Sequence, residues 1–308
     1  QVSNVDFPAV ERAALSNGIE VVYARSTTVP VTRVALEFDA GVAADRADRL
    51  GAHTLMLSVM QEGTTTRDSK ALAEAQERLG ANVSVGSSMD RTIASLSAVT
   101  TNLQPSLALL SDVVRNPAFA PAEIERLRAT RLAGLANEKT QPAAIAGRAL
   151  PPLIYGESHP YGRSFGGTGD EAVIRGLSRD DLAAEHARWI RPDNAQLFVV
   201  SDLSLAELKP QLEAAFGDWR APTTAKGVKG FDAALPQTSA RVVLIDRPQS
   251  PQSLIYGGQV LPVSGTDDIL TLTTANTVLG TDFLSRINAD LRETKGWSYG
   301  VRGTISQL

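Results

Sequence analysis

The amino-acid sequence predicts an α+β chain of duplicated α/β sandwich domains, each an antiparallel-rich sheet covered by helices, with the second copy incomplete. Three observations carry this prediction. Segments of alternating apolar and polar residues are interleaved with segments whose apolar residues recur every three or four positions, the periods of strand and helix. The length of 308 residues suits two domains of roughly 100 to 200 residues each. The opening of the chain is echoed later: Val21-Val22 and Pro30 correspond to Val242-Val243 and Pro251 at one offset of 221 residues. A long internal repeat is most simply a duplicated domain, the alternative being chance likeness of two Val-rich strands.

In chain order, "GIEVVYARS" and "TRVALEFDAG" read as strands, the second marked by Val31, Val34, Leu36 and Phe38. Asp45 to Asp48 lead a helix with Leu50, Leu55 and Val59 on one face. "SKALAEAQERLGA" is a helix with Ser69 as N-cap and Gly80 as stop. "ANVSVGSSMDRTIASLSAVT" is strand-like with a turn near Gly86, and "LQPSLALLSDVVRN" is a helix carrying Leu107, Leu110 and Val114. Pro121 to Glu138 form a long helix with an apolar face. "DEAVIRGLSRDDLAAEHARWI" is helical, "NAQLFVVSDL" is a buried strand, and "SLAELKPQLEAAFGDW" is a helix capped by Ser204. The run from Arg220 to Ala240 is rich in Pro, Gly, Ala and Lys without periodicity and reads as a linker. After it, "ARVVLIDRPQSPQSLIYGGQV" opens a second strand set, and an Asp-led helix near Asp267 matches the one near Asp45. The domain limits are therefore 1–222, a linker over 223–238, and 239–308 as the N-terminal part of a second copy. That copy is cut short at Leu308, since the first occupies about 220 residues.

Composition narrows the function. A hydrophobic content of 43% supplies a sizeable core, while a net charge of -4 argues against nucleic acid or an anionic membrane surface as partner. No apolar run approaches the roughly 18 residues that span a bilayer, so membrane insertion is not expected. No signal-peptide core is visible, and Gln1 as first residue fits either a mature form after leader removal or an arbitrary boundary. The absence of cysteine excludes disulfides and thiolate metal sites. The three histidines, His53, His159 and His186, lie far apart: His53 reads as structural, His159 as a loop residue and His186 as a helix-surface residue.

"GAHTLMLSVMQEGTTTRDS", residues 51–69, has the frame of the inverted-zincin motif His-x-x-Glu-His, in which two imidazoles one helical turn apart hold zinc and the Glu handles the water proton. Aligned on Met60 and on Gly63-Thr64, the three functional places fall on Thr54, Leu57 and Ser58. None of these side chains can supply that chemistry. Ser58 has no histidine four residues away to activate it as a nucleophile, and "GGTG" at Gly166 reads as a turn rather than a phosphate cradle.

Six stretches in order, among them "LSNGIEVVYARSTTVPVTRVALEFDAGVAAD", "MQEGT", "AEIERLRATRLAGLANEKTQP", "LIYGESHPYGRSFGGTGDEAVIRGLSRDDL", "RPDNAQLFVVSD" and "LSRINADLRETKGWSYGV", resemble the pitrilysin-like metallopeptidases, which include mitochondrial processing peptidase. The resemblance covers nearly the whole chain. It implies the mitochondrial-processing-peptidase type of fold and a third zinc ligand from the helix "EIERLRATRLAGL", whose acidic places hold Leu127 and Gly134 here. The degenerate metal positions are thus Thr54, Leu57, Ser58 and Gly134, with no metal or cofactor expected in this chain. Family members often pair a zinc-bearing subunit with a homologue lacking the motif. The resemblance therefore implies a non-catalytic subunit of a zinc endopeptidase, with a homologous active subunit holding the zinc and unfolded peptides as substrates. It also implies that Arg292 and Tyr299, in "DLRETKGWSYGV", bind substrate: Arg292 ends a helix, Gly296 is its left-handed stop, and Trp297, Tyr299 and Val301 alternate as a strand. The glycine-rich loop of the processing peptidase α-subunit is missing at "LGTDFLSR", which argues against a presequence receptor. A purely structural assembly role is the alternative. The Ala-rich composition and leaderless start lean toward the periplasm, with the cytoplasm as the other location.

Overall fold

Strand alternation becomes a sheet because each strand has one apolar face to bury. The computed structural model describes residues 8–232, 234–236, 239–263, 267 and 269–307; Gln1, Leu308 and three positions of the 223–238 linker lie outside the described residues. The chain divides into two units, Gln1–Gly258 and Gln259–Leu308. In the first unit the strands are β1 (Val10–Ala14), β2 (Glu20–Arg25), β3 (Val31–Phe38), β4 (Ala81–Ser87), β5 (Thr92–Val99) and β6 (Ala195–Ser201). They form one sheet in the order β1-β2-β6-β3-β5-β4. All pairs are antiparallel except β2 with β6, which run parallel with Val22 opposite Phe198.

The helices are α1 (Ala52–Met60), α2 (Ser69–Leu79), α3 (Leu103–Arg115), α4 (Pro121–Glu138), α5 (Pro142–Tyr155), α6 (Glu171–Gly176), α7 (Arg179–Trp189) and α8 (Leu205–Leu212). Val21, Tyr23, Val34, Leu36, Phe38, Ala94, Leu96, Leu197 and Val199 form the buried sheet face and share one core with Leu55, Met56 and Val59 of α1 and with Leu107, Leu110 and Val114 of α3. The other face carries half-exposed residues such as Phe198 and Val200. This is the expected α+β sandwich, with one sheet face covered by helices.

Local chemistry accounts for where the reading of the sequence and the structure differ. Asp68 caps α2 through the Ala71 N–H at 2.8 Å, with Ser69 as the first helical residue. β4 runs through Gly86 to Ser87, so the hairpin turn falls later, where the Ser88 N–H bonds the Arg91 carbonyl at 2.8 Å. The single helix read over 170–190 is two, because Ser178 and Asp181 form a reciprocal capping box that starts α7 afresh. β1 and α5 were not expected: β1 is an exposed edge strand without alternation, and α5 contains Pro151 and Pro152, which signal a break.

Residues 222–231 are tied to the first unit rather than free. Arg191 donates to the Thr224 carbonyl at 2.7 Å and the Pro222 carbonyl at 3.3 Å, and the Gly227 N–H donates to the Arg188 carbonyl at 3.1 Å. Lys229, almost wholly buried, pairs with Asp39 at 2.6 Å and donates to the Asp90 carbonyl at 2.8 Å.

The strands read over 239–260 are not formed among the described residues. Val242, Leu244 and Ile255 are 96%, 90% and 95% exposed. Their period is that of a strand, but a strand needs a neighbour for its backbone groups, and none pairs with them.

The second unit contains α9 (Leu270–Asn276), continued by a π turn at Thr277–Thr281, and α10 (Arg286–Asn288), continued by a π turn at Ala289–Thr294. No strand forms at Trp297 to Val301.

Candidate functional site

Helix α1 starts where Gly51 adopts a left-handed φ of 93° and the buried Asp45 carboxylate accepts the backbone N–H groups of Gly51 at 2.6 Å and His53 at 2.9 Å. The helix places Thr54 and Ser58 one turn apart on a half-exposed stripe, and turns Leu57 into the core at 3% exposure. Thr54 donates to the Gly167 carbonyl at 2.5 Å, and Ser58 donates to the Thr54 carbonyl at 2.9 Å.

A cation stands between these hydroxyls. Arg131, on α4, donates through Nη1 to Thr54 Oγ1 at 3.1 Å and the Gly167 carbonyl at 3.3 Å, and through Nη2 reaches Ser58 Oγ at 3.5 Å. Desolvation pushes its guanidinium below the usual arginine range, opposed by the charges of Asp45 and Glu138. Leu127, one turn before Arg131, packs against the core; Gly134, on the next turn, is exposed with open space at its Cβ position. A tetrahedral zinc site takes His, Asp, Glu or Cys donors, and Thr, Leu, Ser and Gly do not supply them. Among the described residues no group of three such side chains is placed to hold a metal. The donor set does not fit zinc. Sequence reasoning missed Arg131, whose one signal was its place on the helix face between Leu127 and Gly134.

"GGTG" is a packed turn, as expected. Gly167 has φ 63°, and a Cβ there would lie 2.7 Å from Thr54 Cγ2.

The histidines lie apart. His53 is fully buried, with Nε2 2.6 Å from Thr92 Oγ1 and Nδ1 3.3 Å from Glu185, a structural role. His159 belongs to a loop and stacks on Tyr155, centroids 5.5 Å apart. His186 lies on a helix, as expected, but is half-buried rather than fully exposed: it donates through Nε2 to the Val114 carbonyl at 2.8 Å and packs edge-on against Phe119. Burial lowers the pKa of both His159 and His186.

In the second unit Arg292 and Tyr299 do come together. The guanidinium lies 4.2 Å from the Phe283 ring centroid and 5.4 Å from that of Tyr299. Arg292 sits in the last π turn, and Gly296, with φ 63°, ends it by donating to the Arg292 carbonyl at 3.2 Å. Tyr299 is 93% exposed, whereas Arg292 Nη1 is buried without a hydrogen-bond partner. A buried unpaired donor is costly, and a ligand oxygen would satisfy it.

A surface pocket of about 750 Å³ lies beside the anchored linker, lined by Asp39, Asp90, Arg91, Tyr161, Lys229 and Phe231. Its Lys229 and Arg91 already face Asp39 at 2.6 and 3.3 Å, so it offers no unneutralised cation from either.

Residues 20–160 match the family model for insulinase, peptidase family M16, and residues 176–308 match the peptidase M16 inactive domain. An uncharacterized zinc protease of Mycobacterium leprae is 22% identical over 300 residues, 96% of this chain and 65% of that protein. The chain thus spans about two thirds of that relative's length. Subunit 1 of the mitochondrial cytochrome b-c1 complex of Bos taurus is 25% identical over 201 residues, 65% of this chain and 41% of the bovine one. A crystal structure of a peptidase M16 inactive domain from Pseudomonas fluorescens superposes with a TM-score of 0.78 at 24% identity, over 97% of this chain and 71% of that one, a likeness of fold.

Proposed function

Because the chain belongs to peptidase family M16 and carries Arg131 among hydroxyls where its motif should hold zinc, we propose that it is a non-catalytic subunit of a heteromeric zinc endopeptidase. A homologous subunit with the intact motif holds the metal. This chain forms half of the substrate chamber and binds unfolded peptide through Arg292 and Tyr299. The observation that carries the reading is the buried, unpaired Nη1 of Arg292 beside the exposed Tyr299 ring. A guanidinium and a phenol both donate to peptide carbonyls, and in a desolvated chamber those bonds hold an extended segment in register. The periplasm is the proposed location. Among the described residues no helix is long and apolar enough to cross a membrane.

The second reading, an assembly subunit without a role in proteolysis, is favoured by the likeness to the bovine b-c1 subunit. One experiment separates the two. The chain is co-purified with a homologue bearing His-x-x-Glu-His, and an unstructured peptide is offered to each protein and to the mixture. The expected outcome is turnover in the mixture alone, with kcat/KM lowered about tenfold by Arg292→Ala or Tyr299→Phe, the value of one lost hydrogen bond. A stable complex in which the homologue turns over no faster than it does alone favours the assembly reading, and an unchanged rate in both variants removes the proposed role of Arg292 and Tyr299.

A further inference from the structure

β4 ends the sheet, so one side of its backbone has no neighbouring strand. That side is occupied from within. Gln61, directly after α1, accepts the Val85 N–H through Oε1 at 3.0 Å and donates through Nε2 to the Val85 carbonyl at 3.0 Å. The same Nε2 donates to the Leu57 carbonyl at 3.1 Å, one helical turn back, so its two protons have two acceptors. Gln76, on α2, accepts the Val83 N–H at 2.7 Å. Both glutamines are half-buried.

A primary amide carries the donor and acceptor of a peptide group. Gln61 therefore offers Val85 the pair of bonds that one residue of an antiparallel neighbour would offer. An open edge is a template for another chain, and proteins blunt such edges. Here the blunting device is anchored on the degenerate helix itself, three residues after Ser58 and four after Leu57. An incoming strand gains little at Val83 and Val85, because each bond it makes replaces one already present.

We propose that Gln61 and Gln76 are an intramolecular plug that closes the β4 edge to strand addition, so that an extended peptide pairs there only when the Gln61 amide is absent or displaced. The inference stands apart from the reading of Arg292 and Tyr299, which lie in the other unit.

The test uses the full chain and a fluorescein-labelled eight-residue peptide of alternating Thr and Val with terminal lysines. Anisotropy measures affinity, and hydrogen exchange reads the amides of residues 81–87. Gln61→Leu, which keeps the bulk and loses the amide, is expected to bind the probe at least about tenfold tighter than the parent, by the loss of two competing bonds. In that variant the Val85 amide exchanges faster alone and is protected by the probe; pairing between two copies through residues 81–87 supports the plug equally. Gln61→Glu keeps the acceptor and loses the donor, and decides the matter on the same criteria if circular dichroism shows Gln61→Leu to be unfolded. Protection by the probe confined to the amides of residues 81–87 separates this result from the proposed contact at Arg292 and Tyr299. The plug is overturned if the parent binds the probe as tightly with Val85 protected, or if the folded variant gains neither affinity nor faster Val85 exchange.

Discussion

Arg131 brings a fixed positive charge into the frame of a metal site, held by the hydroxyls of Thr54 and Ser58 and by the Gly167 carbonyl. Two cations within a few ångströms repel strongly where water is partly excluded. Restoring ligands alone should therefore be insufficient. A variant with Thr54→His, Leu57→Glu, Ser58→His and Gly134→Glu is expected to bind zinc on the order of 100-fold tighter once Arg131→Leu is added, as read by competition with a chromophoric chelator. Equal affinities would mean that the guanidinium swings clear. Asp45, buried, and His186, half-buried, set opposite pH dependences. Burial raises the pKa of Asp45 from 3.8 to about 6, opposed by His53 and by two backbone N–H groups. Its contribution to stability is full below the unfolded value and lost as pH rises through about 6, a loss on the order of 3 kcal/mol. His186, its pKa lowered from 6.5 by burial, contributes fully above 6.5 and loses that contribution as pH falls through the folded value. Urea midpoints across this range should show Asp45→Asn removing the first dependence and His186→Gln the second; unchanged slopes would refute the assignments. The failed motif was legible because Met60 and Gly63-Thr64 fix its register, with Gly63 at a φ of 154°. Arg131 and the inward turn of His186 were not legible, because each depends on a partner from another helix.

At the scale of elements, the period of apolar residues located β2, β3, β5, β6, α2 and α3, since each has one face against the shared core. It was silent on β1, which has little to bury, and misleading on residues 239–260, where the period is present and the neighbour is not. The linker shows a different blind spot. A run of small and charged residues reads as loose, yet Gly227 lies so close to Trp189 that a Cβ would be 2.4 Å from its ring, and Lys229 is held by Asp39. Gly227→Ala is expected to lift this strap at a cost of about 1–3 kcal/mol, and to speed tryptic cleavage at Lys226 and Lys229. Unaltered cleavage kinetics would show that the segment accommodates the methyl group without releasing its anchors.

For the whole molecule, the two units differ in what they bury. The core residues of the first lie between Leu15 and Trp219, whereas among the described residues of the second only Gly280, Ser285 and Asn288 are buried. Hydrophobic burial is the main favourable term in folding, so the first unit should carry the cooperative transition. Residues 1–232 alone are expected to melt within about 4 °C of the 308-residue chain, while 239–308 alone shows no cooperative transition by circular dichroism. A sharp melt of the shorter piece would assign it a core of its own. The order of the strands adds a constraint in time. β6 pairs with β2 on one side and β3 on the other, so the middle of the sheet is filled by residues 195–201. On the ribosome, residues 10–194 emerge with a slot where that strand belongs, and long-range closure of this kind is slow. Until residues 195–201 follow, β2 and β3 lack their shared neighbour and their apolar faces stay uncovered, the kind of surface that chaperones holding unfinished chains recognise.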